Sequence, residues 1–270
     1  MRAGVPPYFD LLIDGFRSAR TGRHVHLGYW EQPPALSVPC PPDEFEAAQA
    51  RLNEIMIKLA RIEDGQSVLD VGCGFGGTLA AVNEGWRDMQ LVGLNIDRRQ
   101  LDICRTIAPR PTNALALVMA DACALPFRNG ALDRLVCLEA MFHFRSRAEF
   151  LRGAADALRP AGRLALSDIV FKHPGGRAPV PVGLLEDTIR REYGPWPELW
   201  AGPQEILDRA RAAGLALEEM IDVTRETLPT YRVTAPDDES LSPRLSAGSL
   251  MRWLHRNGYL TYICLALRKA

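Results

Sequence analysis

The sequence predicts a doubly wound α/β fold with a mainly parallel sheet of seven strands. Short apolar runs alternate with helical stretches over most of the chain, which is the pattern of consecutive β-α-β units. A glycine-rich turn follows the first of these runs and opens a helix, as in folds that hold a ligand at this point. The 270 residues suffice for one such domain and are only marginally enough for two. We therefore expect a single α/β domain.

Composition and charge exclude several other classes of protein. With 47% hydrophobic and 24% charged residues, the chain is unlike disordered, collagen-like or coiled-coil proteins. Its net charge of −1 gives no basic surface for nucleic acid or for a membrane. No apolar stretch approaches a membrane span, the first residues lack a signal peptide pattern, and the six cysteines form no C-x-x-C pair. We expect a cytoplasmic protein with reduced cysteines and a small-molecule partner; whether it is a monomer or a homodimer stays open.

The chain divides into an N-terminal arm, residues 1–42, and a main domain, residues 43–270. Five prolines between residues 33 and 42 predict an irregular, extended arm or lid. Asp43 and Glu46 have the spacing of a capping box, and apolar residues at three- and four-residue steps follow them. This pattern predicts an amphipathic helix over about 44–62.

The main domain is predicted to alternate strands and helices up to residue 169. The seven predicted strands are 67–71, 90–96, 115–120, 132–138, 163–169, 216–223 and 259–268. The helices between them are predicted at 78–84, 98–107, 148–158 and near 204–213. A Gly- and Pro-rich stretch with several aromatic residues, about 173–202, interrupts the alternation and indicates an insertion over the edge of the sheet. A long polar connection is expected before the last strand.

The glycine-rich turn, VLDVGCGFGG at residues 68–77, is the most specific motif in the chain. Gly72, Gly74 and Gly77 formally satisfy the G-x-G-x-x-G fingerprint of dinucleotide-binding dehydrogenases. Asp70 argues against that interpretation, because its carboxylate would face the pyrophosphate that such a turn holds. A cationic ligand is the better match.

The turn resembles the first motif of the class I S-adenosylmethionine-dependent methyltransferases, acidic-x-Gly-x-Gly-x-Gly, here Asp70, Gly72, Gly74 and Gly76. The resemblance extends by pattern over about residues 45–170. It implies a Rossmann-like sheet with an antiparallel last strand and S-adenosylmethionine as the cofactor. It also implies that Asp70 lies near the positively charged methionine part, with the glycine backbone under the ligand.

The ends of the next two predicted strands resemble the family's contacts to ribose and adenine. Where the family usually has an acidic residue for the ribose hydroxyls, this chain has Asn95, and Gln100 stands one helical turn further on. Asp97 and Gln100 also fit a simple capping box, and both interpretations stay open. The resemblance implies that Asp121 and Ala122 lie beside the adenine; the alternative for Asp121 is a turn cap.

His143 is the candidate general base. It lies in residues 138–144, which follow the fourth predicted strand and therefore emerge at the ligand-binding edge of the sheet. Asp168 is expected to end the fifth strand at the same edge. The pair resembles that of bacterial sugar O-methyltransferases of the rebeccamycin type, which implies that His143 deprotonates the acceptor hydroxyl and that Asp168 orients it or binds the hydroxyl. A packed core histidine is the alternative, and Asp168 with Glu139 leaves a Mg²⁺ site open although no metal is required.

Two aromatic segments are expected to close the site. In the arm, Tyr29 and Trp30 resemble lid residues that cover the cofactor, and Tyr8 is either a lid residue or a packing anchor. In the insertion at 173–202, aromatic residues are expected to form an acceptor cap that stacks on a ring or sugar, the alternative being a small separate core. These residues are Tyr193, Trp196 and Trp200.

The predicted function is S-adenosylmethionine-dependent methyl transfer to a hydroxyl of a small natural product. Carbon or nitrogen methylation in the same fold is the nearest alternative, because specificity resides in the cap. A non-catalytic protein that keeps the fold and binds the ligand is the second alternative.

Overall fold

The computed structural model describes residues 8–172, 181–235 and 246–270. The strands are β1 Ser67–Val71, β2 Gln90–Asn95, β3 Ala114–Met119, β4 Leu132–Cys137, β5 Leu158–Phe171, β6 Leu215–Asp222 and β7 Leu260–Lys269. The longer helices are α1 Tyr8–Arg17, α2 Pro42–Ala60, α3 Gly77–Gly85, α4 Arg98–Cys104, α5 Arg147–Ala157, α6 Val182–Tyr193 and α7 Pro203–Ala212. Toward the carboxyl end follow α8 Thr224–Thr227, α9 Tyr231–Thr234 and α10 Ala247–Arg256.

All seven strands form one sheet in the order β3-β2-β1-β4-β5-β7-β6. Strands β1 to β5 run parallel, and β7 is antiparallel to both of its neighbours, β5 and β6. The predicted fold class and the antiparallel last strand are confirmed. Because the order reverses at β1, the carboxyl ends of β1 and its neighbours open the crevice in which such sheets bind ligands.

Two apolar layers cover the faces of the sheet. Along β1, Val68 packs with the layer that contains α2, α3 and α4, whereas Leu69 and Val71 pack with the layer that contains α5 and α7. This alternation is the two-residue period of a strand buried on both faces. Helices α6 and α10 extend the first layer through apolar residues such as Leu185 and Leu250.

The N-terminal part of the chain differs from the prediction. The arm contains a ten-residue helix, α1, rather than only extended chain. Helix α2 begins at Pro42 after Pro41, and no side chain caps it, so the predicted capping box of Asp43 and Glu46 does not form. A proline in the first turn needs no such cap for its own nitrogen, because it has no N–H to satisfy.

The strand β5 is longer than predicted. It covers 14 residues instead of the expected seven. At its carboxyl end β7 pairs with it continuously from Arg163 to Phe171, and at its start Leu158 pairs with Leu132 of β4. The connection before β7 is also more regular than the expected polar loop. Its described part contains α8, α9 and the amphipathic α10, while residues 236–245 lie outside the described ranges, as do residues 173–180 of the predicted insertion. Among the helices that are described, none is long and apolar enough to cross a membrane.

Candidate active site

A cavity of about 360 Å³ opens at the carboxyl ends of β1, β2 and β4. Its size is that of a small-molecule site. The sheet side consists of the glycine turn, the end of β2 and the turns after β3 and β4, and the opposite side comes from the N-terminal arm and two prolines. The arm and the prolines contribute Tyr8, Phe9, Leu12, His24, Val25, His26, Pro195 and Pro197.

The glycine turn is compressed between the arm and the turn after β4. Gly72, Gly74 and Gly76 all have positive φ angles, which L side chains rarely adopt. A Cβ on Gly72 would lie 2.4 Å from the Cβ of Ala140, and one on Gly74 would lie 2.8 Å from Cγ2 of Val25. The turn therefore needs glycine both for its conformation and for its close contacts, and it brings the end of β1 against the end of β4.

Asp70 presents a buried carboxyl group to the cavity. It lies near the end of β1, is 3% exposed, and has no hydrogen-bond partner for its side chain in the described part of the chain. Burial raises the pKa of Asp70 to about 7, because the charged form loses its hydration. A cationic group in the cavity would favour the ionised form.

Asn95 and Gln100 lie side by side in the cavity wall. Nδ2 of Asn95 donates to Oε1 of Gln100 at 3.2 Å, and Nε2 of Gln100 is buried without a partner among the described residues. An unpaired buried donor is costly, so this one is suited to bind a ligand hydroxyl. Asp97 caps α4 through the backbone N–H of Arg99, but Gln100 turns to Asn95. Only half of the capping box therefore forms.

Asp121 and Ala122 also line the cavity. Oδ1 of Asp121 accepts a hydrogen bond from the backbone N–H of Cys123 at 2.8 Å and caps the short 3₁₀ helix Ala122–Ala124. Asp121 is therefore a turn cap, as the alternative interpretation has it. Because it also lines the cavity, it could contact a bound ligand as well.

His143 faces the cavity as a neutral ring. Its Nδ1 is 2.8 Å from the carbonyl of Pro195, which can only accept, so Nδ1 carries the proton. Burial lowers the pKa of His143 to about 4, which keeps the ring neutral and leaves Nε2 as an acceptor. The Tyr8 hydroxyl, 3.1 Å away, donates to Nε2. The ring is thus both packed and hydrogen-bonded, and the lone pair on its Nε2 accepts from Tyr8 of the arm.

Asp168 does not pair with His143, which corrects the prediction. It is fully buried, lies opposite Ile263 in the interior of β5 rather than at the strand's end, and accepts a hydrogen bond from Nε of Arg147 at 2.8 Å. Arg147 in turn donates to the carbonyl of Glu198. Burial raises the pKa of Asp168, and the charge of Arg147 opposes this. The reason for the error is the strand length, since pairing with β7 carries β5 three residues past this position.

The lid prediction for Tyr29 and Trp30 is also corrected. Neither residue lines the cavity. Trp30 is 5% exposed, and its indole N–H donates to Glu44 in the first turn of α2 at 2.8 Å. The arm covers the cavity instead with α1, which contains the expected lid candidate Tyr8, and with residues 24–26. The sequence did not predict that the lid segment around Tyr8 is a helix. The spacing of Leu12, Ile13 and Phe16 is a helical signal that could have indicated α1.

The aromatic residues of the expected acceptor cap pack into the main apolar layer of the sheet instead of forming a pocket or a separate small core. Trp196 is 1% exposed and stacks on Phe142 at 4.2 Å between ring centroids. Trp200 donates its indole N–H to Glu186, and Tyr193 packs edge-on against Tyr8 at 5.6 Å. None of Tyr193, Trp196 and Trp200 lines the cavity, which corrects their assignment to the acceptor pocket. Pro195 and Pro197 of the same segment do line it.

Glu139 is the cavity carboxyl that the sequence analysis did not assign to methyl transfer. It lies two residues after β4 and lines the cavity. Asp168 does not line the cavity, and no group of three or more His, Cys, Asp or Glu side chains suited to a metal occurs within the described ranges.

Comparisons with known proteins agree with this geometry. A family profile described as a methyltransferase domain matches residues 69–166. Methyltransferase GfsG of Streptomyces halstedii is 31% identical over 89% of this chain and 83% of its own length. The 27-O-demethylrifamycin SV methyltransferase of Amycolatopsis mediterranei is 30% identical over 82% of this chain and 76% of its own length. The crystal structure of mycolic acid cyclopropane synthase CmaA1, complexed with SAH, superposes with a TM-score of 0.78 at 20% identity, covering 99% and 98% of the two chains.

The chain belongs to the class I S-adenosylmethionine-dependent methyltransferases, in a group whose members act on small-molecule secondary metabolites. The residues present fit this cofactor. The orphaned Nε2 of Gln100 matches a ribose hydroxyl, and the buried Asp70 carboxyl matches a cation.

Proposed function

We propose that the protein transfers the methyl group of S-adenosylmethionine to a hydroxyl of a small secondary metabolite, with His143 as the general base. The observation that carries the proposal is the neutral His143 ring, whose Nε2 acceptor faces the same cavity as the glycine turn and Asp70. The name of the rifamycin relative, which specifies an oxygen position, supports a hydroxyl as the acceptor.

The cofactor would lie along the sheet side of the cavity. Asp70 would contact the positively charged methionine part, Asn95 and Gln100 the ribose hydroxyls, and Asp121 with Ala122 the adenine. S-adenosylmethionine supplies an electrophilic methyl group on a sulfonium centre. The glycine turn brings this side of the cavity against Ala140, three residues before His143, so that cofactor and acceptor can meet in line.

His143 would receive the acceptor's proton at Nε2. The acceptor hydroxyl takes the position of the Tyr8 hydroxyl, and the Pro195 carbonyl stabilises the charged ring through Nδ1. The hydroxyl becomes strongly acidic as its oxygen bonds to the methyl carbon, so a base with a pKa of about 4 accepts the proton late in the transfer.

The proposal is tested by measuring SAH release with a panel of hydroxylated metabolites, beginning with 27-O-demethylrifamycin SV, and by locating the methyl group in the product by NMR. We expect an O-methyl product. His143→Ala should bind SAM normally and lose on the order of 10²–10⁴-fold in kcat. At saturating SAM, the wild-type kcat should fall only near pH 4, below the usual histidine range, because burial lowers the pKa of His143.

Methylation at carbon or nitrogen, or unchanged turnover in His143→Ala, would overturn the proposal. Tight SAM binding with no product from any panel compound would favour a non-catalytic protein. Tyr8→Phe is the matched variant, since it frees Nε2 without removing the base, and it should retain turnover.

A further inference from the structure

Glu139 adopts a strained backbone conformation at the edge of the cavity. Its φ angle is +48°, in the left-handed region that non-glycine residues seldom occupy. Such conformations persist when surrounding contacts hold them, and they cluster at functional sites. Two residues later the 3₁₀ helix Met141–His143 begins, so Glu139 and His143 belong to one turn.

A closed ring of hydrogen bonds holds this residue. The backbone N–H of Glu139 donates to Oγ of Ser167 on β5 at 2.9 Å. Ser167 and the Tyr262 hydroxyl on β7 are 3.1 Å apart, and Tyr262 donates to Oε1 of Glu139 at 2.8 Å. Since Tyr262 has one proton and a carboxylate only accepts, Ser167 donates to Tyr262. Two strands therefore fix both the backbone and the carboxyl group of Glu139.

The two carboxyl oxygens of Glu139 have different surroundings. Oε1 also accepts a hydrogen bond from the backbone N–H of Leu27 in the arm at 2.7 Å. Oε2 accepts none from any residue that the structure describes, although Glu139 lines the cavity. The arrangement satisfies one oxygen with protein donors and leaves the other for a ligand.

Glu139 lies at the end of the cavity where the arm meets His143. Burial, and then the charge of Glu139, raise the pKa of the Tyr8 hydroxyl, and Tyr8 is the partner of His143. Asn95, Gln100 and Asp121 occupy the other walls, after β2 and β3. A ligand group at Oε2 therefore belongs to the methyl acceptor rather than to the adenosine part of the cofactor.

We propose that Glu139 determines acceptor specificity by accepting a hydrogen bond at Oε2 from a second hydroxyl of the acceptor, near the one that is methylated. The acceptor is then a polyol rather than a mono-alcohol. An analogue without the second hydroxyl leaves a buried carboxyl oxygen unpaired, and such sites discriminate strongly. This inference rests on the proposed function, because it requires the acceptor to bind beside His143.

The test is a thermodynamic double-mutant cycle. Wild type and Glu139→Gln are each compared for binding of an acceptor and of an analogue that lacks one hydroxyl. Gln keeps an oxygen for Leu27 and Tyr262 but replaces the Oε2 acceptor with a donor. The probes are 27-O-demethylrifamycin SV, or the panel compound that binds best, and its analogue without the hydroxyl next to the methylated oxygen. Their binding to the SAH-loaded protein is measured by calorimetry, and their KM by SAH release.

We expect removal of the hydroxyl to weaken acceptor binding at least about tenfold in the wild type and less than about threefold in Glu139→Gln. The Kd of SAH should stay within about twofold, and Glu205→Gln on the surface of α7 should behave like the wild type. An equal loss in both proteins would refute the contact, and a parallel loss of SAH binding would make Glu139 structural. The calorimetric Kd values require no turnover, so a failure of O-methylation does not affect that comparison.

Discussion

Burial shifts the pKa values of three ionisable residues in the cavity wall, Asp70, Glu139 and His143, and the direction depends on the sign of the charge. It raises the pKa of Asp70 and of Glu139 to about 7, and it lowers the pKa of His143 to about 4. The neutral form is favoured in each case, because removing water destabilises a charge of either sign. Between about pH 4 and pH 7 these three groups are therefore largely uncharged without a ligand, and a cationic ligand shifts the two carboxyl groups toward ionisation.

Asp70 should make cofactor binding depend on pH. With a pKa near 7, its carboxyl is mostly protonated at pH 6, so SAM should bind about tenfold more weakly at pH 6 than at pH 8. Asp70→Asn should weaken binding at pH 8 by about 10–100-fold, the usual contribution of a charged hydrogen bond, and should lose the pH dependence. Calorimetry at both pH values measures this.

Asp208→Asn on the surface of α7 is the control, with unchanged binding expected. If Asp70→Asn lowers the ligand-free melting temperature sharply but binds SAM with wild-type affinity, Asp70 has a structural role instead.

At the scale of the elements, a buried ion pair joins α5, β5 and the segment after α6. Arg147 at the start of α5 is paired with Asp168 of β5 and with Glu198, and Glu198 is also 2.5 Å from Arg209 of α7. The segment held in this way includes Pro195, whose carbonyl fixes the proton of His143 on Nδ1. The network therefore lies outside the cavity and anchors the segment whose Pro195 carbonyl contacts the His143 ring.

Removing Asp168 should act on stability rather than on chemistry. Asp168→Ala leaves Arg147 buried without its main partner, which should lower the free energy of unfolding by about 3–5 kcal/mol in urea denaturation. The pair Arg147→Met with Asp168→Leu should recover much of this loss, since it removes both charges. If the Asp168→Ala protein is as stable as the wild type and binds SAM but has lost turnover, Asp168 has a role in the active site and the structural role is contradicted.

At the scale of the whole molecule, the cavity connects the arm to the sheet. Gln49 of α2 donates to the carbonyls of His24 and His26, and Leu27 donates to Glu139. Arg99 of α4 bonds to Asp97 and forms an ion pair with Asp10 of α1. A ligand in the cavity contacts both parts at once, so binding should stabilise the arm and the domain together.

Cofactor binding should accordingly raise the melting temperature of the full chain. At a SAH concentration 100 times its Kd, linkage gives about 2.7 kcal/mol, which corresponds to a rise of about 5 °C or more for a chain of this size. Differential scanning fluorimetry measures the shift. NAD at the same concentration should give none, because Asp70 opposes a pyrophosphate at the glycine turn. A comparable shift with NAD would contradict the choice of cofactor.

The sequence alone predicted the alternation of strands and helices, the antiparallel last strand through the family resemblance, and the cavity positions of Asp70, Asn95, Gln100, Asp121, Ala122 and His143. Each of these depends on a short segment in which a strand ends in a turn, so local order along the chain places the residue at the edge of the sheet. The roles of these residues in binding and catalysis stay predictions.

Only the tertiary structure decided which other residues join them. Asp168 lies outside the cavity wall, because β7, about a hundred residues further along the chain, pairs with β5 beyond this position. Trp196 lies in the main apolar layer because it stacks on the flat apolar face of Phe142. Glu139 lines the cavity because residues from two other strands hold it there: Ser167 accepts from its backbone N–H and Tyr262 donates to its carboxyl group. Such contacts join residues far apart in the chain, and local patterns of polarity and spacing do not encode them.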